Sequence, residues 1–225
     1  KTPLVLIILD GFGMRDPSMP GNAIRPDTAP RIFTYFNEYP STALLAHGSA
    51  VGLFPGQEGN SEAGHLTIGA GRVVEQDLVH ISHFIHNGLF FKNEAFKQAL
   101  FHAKKYGTKV HVMGLLTDGM SAHANPEHLY ALLNYFHRNG YSDHVYLHLF
   151  TDGRDAPPRS AFRFLKDLRA HMRGETIASI MGRYYGMDRG KNWDRTEEAF
   201  RAITEGFGRY TAQSAEEAIE ESYTR

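Results

Sequence analysis

Three strand-like runs, from Lys109 to Leu116, Val145 to Phe150 and Thr176 to Met181, alternate with stretches of helical periodicity. No other feature of the chain narrows its possible folds as much. Asn93 caps a helix carrying Phe96, Ala99, Leu100 and Ala103, which Gly107 stops. Asn125-Pro126 starts a second with Leu129, Leu132, Leu133 and Phe136 on one face, and Gly140 ends it. Pro158 to Met172 is a third, with Gly174 after it. Asp194-Arg195-Thr196-Glu197 and Ser214-Ala215-Glu216-Glu217 have capping-box spacing, and each opens a further helix. Strands alternating with amphipathic helices predict an α/β fold, a mainly parallel sheet sandwiched by helices.

Each of those strands runs straight into a polar loop. The loops are Thr117-Asp118-Gly119-Met120-Ser121-Ala122-His123, Thr151-Asp152-Gly153-Arg154-Asp155 and Gly182-Arg183-Tyr184-Tyr185-Gly186-Met187-Asp188-Arg189. In a parallel sheet all three open on one edge, where ligands of open α/β sheets gather. His123, Asp155, Arg154, Arg183 and Arg189 would then surround one mouth. Arginine forks grip carboxylate and phosphate bidentately, so the set suits a small, doubly anionic ligand. The plainer reading is three turns whose charges are solvated or paired with neighbouring acids.

The first third of the chain has a different grammar. Leu4 to Leu9 is a continuous apolar run that predicts a strand buried on both faces, ending at Asp10-Gly11. Ala29 to Tyr39 carries Ile32, Phe33 and Phe36 at helical spacing as core, and Thr42 to Ala46 predicts a short strand. A glycine-rich run follows, with glycines at 48, 52, 56, 59, 64, 69 and 71. Such density points to backbone torsions or close approaches that a Cβ would forbid. Ser61 sits in its middle, either as the cap of a surface loop or as a nucleophilic oxygen on a tight turn at a helix N-terminus. Glu75 to Asn87 predicts a helix whose His80, His83 and His86 form a solvated face.

A net charge of −1 provides no basic field for nucleic acid. No apolar run reaches membrane-spanning length, and nothing at the N-terminus resembles a signal peptide. The absence of cysteine excludes disulfides and thiolate metal sites and fits a reducing cytoplasm.

Val51-Gly52-Leu53, Gly56-Gln57-Glu58-Gly59-Asn60-Ser61-Glu62-Ala63-Gly64-His65 and Gly69-Ala70-Gly71-Arg72 together closely resemble the phosphoserine loop of the cofactor-independent phosphoglycerate mutases. That family belongs to the alkaline phosphatase superfamily. Gly153-Arg154-Asp155, Gly182-Arg183-Tyr184-Tyr185, Met187-Asp188-Arg189 and Trp193-Asp194-Arg195 match further elements of it. The loop after Leu116 departs from the family pattern, being one residue longer and short of one histidine, and His123 is its best equivalent.

The resemblance implies interconversion of 3- and 2-phosphoglycerate in glycolysis and gluconeogenesis, through a phosphoserine at Ser61. Asp10 and Ser61 would be metal ligands. Arg183 and Arg189 would hold the glycerate, with Arg154 and Asp155 at its hydroxyl and carboxylate. Asp155, helped by His123, would relay the proton between hydroxyls. It also implies two Mn²⁺ in the complete enzyme (Mg²⁺ or another divalent ion being the alternative), no bisphosphoglycerate, a monomer, and closure of two domains over the glycerate. Residues 1–74 would be part of the phosphatase-like domain and residues 75–225 an incomplete substrate-binding domain. Family members are much longer, so the chain is expected to be an N-terminal portion, inactive alone. The rival readings are a metal-dependent phosphatase or phosphopentomutase with the same serine, and a non-catalytic glycerate- or phosphate-binding remnant.

Overall fold

The computed structural model describes residues 2–224, which form two compact units, one ending at Gln76 and the next beginning at Asp77.

In the first unit, α1 (Pro30–Glu38) starts with proline at its first turn, where the missing N–H costs nothing. Its apolar residues Ile32, Phe33 and Phe36 are half-buried rather than core, with Phe33 and Phe36 in edge-to-face contact. The unit's small core is Val51, Leu53 and Ala63. Glycine is required around it. Gly52 has φ +78, and a Cβ there would lie 1.9 Å from the Val74 carbonyl oxygen; one on Gly59 would lie 1.9 Å from that of Ala46. This packing leads into α2 (Ser61–Ala70), closed by Gly71 in the left-handed region.

Two expectations fail in this unit. Neither the run from Leu4 to Leu9 nor that from Thr42 to Ala46 forms a strand, and Leu4 is 95% exposed. A strand exists only against a neighbour that offers a ladder. Among the described residues of this unit no strand offers one, so apolar sequence alone cannot build it.

The second unit follows the predicted rhythm. In chain order it contains α3 (Asp77–His86), α4 (Glu94–Tyr106), β1 (Val110–Leu116), α5 (Pro126–Arg138), β2 (Val145–Thr151), α6 (Ala161–His171) and β3 (Thr176–Gly182). The short α7 (Arg183–Gly186), then α8 (Trp193–Thr204) and α9 (Ala215–Thr224) complete it. The strands are all parallel in the order β1-β2-β3, with Val110 opposite Val145 and Tyr146 opposite Thr176. Asn93 and Asn125 cap α4 and α5, accepting from Ala95 N and Glu127 N, and the Ser214 hydroxyl accepts from Glu217 N at α9. Asp194 does not cap α8; that helix starts after Asn192, whose amide is taken by Asp188.

One face of the sheet is buried by helices. Val145, Leu147 and Leu149 pack with Leu100, Leu133, Phe136, Leu165, Leu168 and Ile219. Each such side chain contributes roughly 1.5–3 kcal/mol by leaving water. The opposite face carries His111, His148 and Ser179 in a cross-strand chain of hydrogen bonds of 2.9 and 2.8 Å, and Met113 there is 56% exposed. The histidines of α3 are exposed, as expected; His80 makes a tilted ring contact with Phe84, and His86 Nε2 lies 3.0 Å from Glu127 Oε1. The buried Ser82 hydroxyl also meets Glu127 and His128, tying α3 to α5.

Candidate functional site

In the first unit, Leu9 to Phe12 close a turn, Phe12 N donating to Leu9 O with Gly11 at φ +73, and Asp10 stands at its corner. Ser61 is the first residue of α2. The helix cap is Asn60, whose side chain accepts from Ala63 N at 2.9 Å, so the Ser61 hydroxyl has no capping duty. It donates instead to Asp10 Oδ2 at 2.9 Å, across fifty-one residues of sequence. His65, one helical turn on, brings Nδ1 to 3.1 Å from Ser61 Oγ and 2.7 Å from its carbonyl oxygen. All three side chains are exposed. A hydroxyl beside a carboxylate, at a helix start where unpaired N–H groups favour negative charge, is equipped to take up an anionic group. The sequence singles out Asp10 and Ser61; His65 stands in the serine loop without an assigned role, and its four-residue helical spacing from Ser61 is the signal that brings it in.

Asp10 and Ser61 offer two hard oxygen donors of the kind Mg²⁺ or Mn²⁺ takes. Among the described residues no group of three or more His, Cys, Asp or Glu is arranged to hold an ion. The two donors fit a hard cation in kind and would furnish only part of its shell.

In the second unit the three strand-end loops meet as the parallel sheet requires. Asp152, the first residue after β2, lies at the centre. Its Oδ1 accepts from the backbone N–H groups of Gly153, Arg154 and Asp155 at 2.7, 2.9 and 3.1 Å, and its Oδ2 from the Thr117 hydroxyl at 2.9 Å. Arg183 Nη1 bridges Asp152 Oδ1 at 3.1 Å and Asp155 Oδ2 at 2.8 Å. The Ser121 hydroxyl donates to Asp155 Oδ2 at 2.7 Å and accepts the His123 N–H at 3.2 Å. One network thus joins the loops after β1, β2 and β3.

Charge follows geometry. Burial works to raise the Asp152 carboxyl, but the N–H groups of Arg154 and Gly153, the Thr117 hydroxyl and the Asp155 N–H overcome it and hold the group far below the usual carboxylate range. The Arg183 guanidinium, then Ser121, lowers Asp155. Burial works against the charge on Arg183, and Asp155 and Asp152 outweigh it, so its affinity for the proton rises.

Arg154 and Arg189 are exposed on the same two loops, and neither guanidinium has an acidic partner among the described residues. The Arg189 loop is held by Asp188, whose oxygens accept from Gly190 N, Asn192 N, the Asn192 side chain and Arg195 Nη1. The Asn192 side chain foremost, then its N–H, lowers the Asp188 carboxyl. Arg195 also covers the Tyr184 ring, 3.9 Å from its centroid. His123 is exposed, reaching the network through its backbone. Asp152, Thr117 and Ser121 were missed by the sequence reading. The repeated Thr-Asp-Gly after β1 and β2 was the available signal, since a polar run at two strand ends is more than a turn.

Known proteins resemble this chain in sequence and in fold. Residues 81–225 match the family model described as the BPG-independent PGAM N-terminus. The 2,3-bisphosphoglycerate-independent phosphoglycerate mutase of Moorella thermoacetica is 48% identical over 99% of this chain, and that of Methanococcoides burtonii 46% identical over 100%. A crystal structure of Leishmania mexicana phosphoglycerate mutase at low cobalt concentration has a TM-score of 0.75 with 32% identity, over 86% of this chain and 37% of that one. The chain spans 43% of the length of the Moorella and Methanococcoides relatives. It belongs to the 2,3-bisphosphoglycerate-independent phosphoglycerate mutase family, aligned with the N-terminal part of its members.

Proposed function

We propose that this chain supplies the nucleophile and the glycerate pocket of a metal-dependent mutase that interconverts 3-phosphoglycerate and 2-phosphoglycerate. The observation that carries the reading is the Ser61 hydroxyl set 2.9 Å from the Asp10 carboxylate and freed from capping by Asn60. The names of the relatives support the substrate, and the loop network around Arg183 supports an anion pocket.

In this reading Ser61 Oγ attacks the phosphorus of 3-phosphoglycerate. The Ser61 proton passes to Asp10, to which the hydroxyl already donates, the bond to the glycerate 3-oxygen breaks and a phosphoserine forms. The departing 3-oxygen takes the proton that Asp155 relays from the 2-hydroxyl. Arg183, Arg189 and Arg154 keep the glycerate in place by its charges while it turns. The 2-oxygen, its proton relayed to the 3-oxygen by Asp155 with the help of His123, then attacks the phosphoserine. The bond from phosphorus to Ser61 Oγ breaks, and Ser61 takes its proton back from Asp10. Asp155 is a weak base while Arg183 holds it; engagement of Arg183 by the substrate's anionic groups brings its proton affinity nearer to the task. A divalent ion bound by Asp10 and Ser61 would lower the proton affinity of the hydroxyl and neutralise charge on the transferring group. Manganese is the expected ion, two per complete enzyme, and bisphosphoglycerate is not required. Phosphoryl transfer of this kind is mostly positioning and charge neutralisation, so the arginines should matter more than any single proton carrier. We place the reaction in glycolysis and gluconeogenesis, in the cytoplasm, and in a monomer.

The test is Ser61→Ala in the full-length protein. Mutase turnover should vanish while 3-phosphoglycerate still binds within about threefold of the parent, since no charge-assisted contact to the glycerate is removed. Retained turnover removes Ser61 from the chemistry. Release of inorganic phosphate by the parent in place of 2-phosphoglycerate would assign a phosphatase instead.

A further inference from the structure

Asp152 does more than its position in a turn demands. Its side chain is 0% exposed, and it takes five hydrogen bonds from three separate loops. A neutral asparagine could accept the three backbone N–H groups through the same Oδ1. The additional property of an aspartate is charge, and among the described residues its cationic partner is Arg183.

The way Arg183 is held matters. Nη1 is shared between Asp152 and Asp155, which uses both of its hydrogens. Nε and Nη2 remain, and this edge of the guanidinium makes two parallel bonds to a carboxylate or a phosphate. Asp155 alone would be an unreliable tether. Its side chain is 29% exposed, and in the reading above it accepts a proton during the reaction, when its pull on Arg183 weakens. Asp152 is sealed from solvent and keeps its grip through that step.

We infer that Asp152 is a positioning residue for substrate, fixing Arg183 by Nη1 so that its Nε/Nη2 edge faces the incoming phosphoglycerate. The inference rests on the proposed function, in that Arg183 is taken to hold the glycerate. It adds a division of labour between neighbouring carboxylates: Asp152 anchors the cation, and Asp155 handles the proton.

A double-mutant cycle tests it in the full-length protein, with 3-phosphoglycerate as the titrant and Ser61→Ala present throughout to stop turnover. Asp152→Asn keeps Oδ1 for the three N–H groups, and the Thr117 hydroxyl can turn to accept from the new amide. The Kd should rise about tenfold, the scale of one charge-assisted bond. On an Arg183→Gln background the same change should move the Kd by less than about twofold, because the group it acts through is gone. A similar rise in both backgrounds, or none with Arg183 present, overturns the inference while the glycerate pocket stands. An unchanged Kd for Arg183→Gln alone overturns the pocket reading and the inference together. If Asp152→Asn does not fold, Thr117→Val runs the same cycle by freeing Oδ2. It should raise the Kd about threefold, roughly one neutral hydrogen bond, and only when Arg183 is present. Equal effects in both backgrounds again overturn the inference.

Discussion

Ser61 shows how much one capping residue decides. With Asn60 serving the helix, the serine hydroxyl is left for Asp10 and His65, and a residue readable as a cap becomes a candidate nucleophile. At the second site, Asp152 and Asp155 both lie below their ordinary range when folded. As pH falls, the unfolded chain therefore binds protons first, near pH 4. Their contribution to stability is present in full above that pH and is lost as pH drops toward the folded values. Thermal unfolding should be insensitive to both groups from about pH 7 to 5 and decline below about 4. The gap between the parent and Asp152→Asn should narrow on acidification. Calorimetry at stepped pH would show this, and a gap that widens toward acid contradicts the assignment.

Among the elements, what could be read from the sequence was what is local. The caps Asn93, Asn125 and Ser214 act on N–H groups two or three residues away, and each was legible. Asp194 failed as a cap because Asp188, six residues earlier, captures Asn192 and Arg195 and sets where α8 begins. The Leu4 to Leu9 strand failed because pairing depends on a second segment that no local pattern reveals. Asp10 and Ser61 were singled out through the resemblance of the serine loop, and their side chains meet at 2.9 Å. Asp152 was not, since its importance lies in partners from loops far along the chain.

Two predictions belong to this scale. Gly52→Ala would force a Cβ to 1.9 Å from the Val74 oxygen at a positive φ, so the segment must shift at a cost of about 2 kcal/mol or more. Hydrogen exchange should speed up across residues 48–76 and remain slow in β2; unchanged protection would mean the glycine is replaceable. On the sheet face opposite the helix-packed core, burial first and then His111 lower the His148 imidazole. Its neutral form thus favours folding above about pH 6.5, and that contribution declines as pH falls. His148→Gln should flatten the stability profile between about pH 7 and 5, by at most about 1.4 kcal/mol per unit. An identical slope in parent and variant would exclude the histidine as its source.

For the molecule as a whole, the relatives are more than twice as long as this chain, and the proposed reaction needs both the Ser61 hydroxyl and the Arg183 pocket. The family model lies over residues 81–225, so membership there rests on the pocket-bearing unit, while the identity to the Moorella and Methanococcoides relatives extends over the serine loop as well. Trapping the phosphoryl group in transit tests the connection most directly. The full-length protein, mixed with phosphate-labelled 3-phosphoglycerate and quenched in acid within one turnover, should yield the label on the peptide containing Ser61. Turnover with no label on that peptide, or with label on another residue, would contradict it.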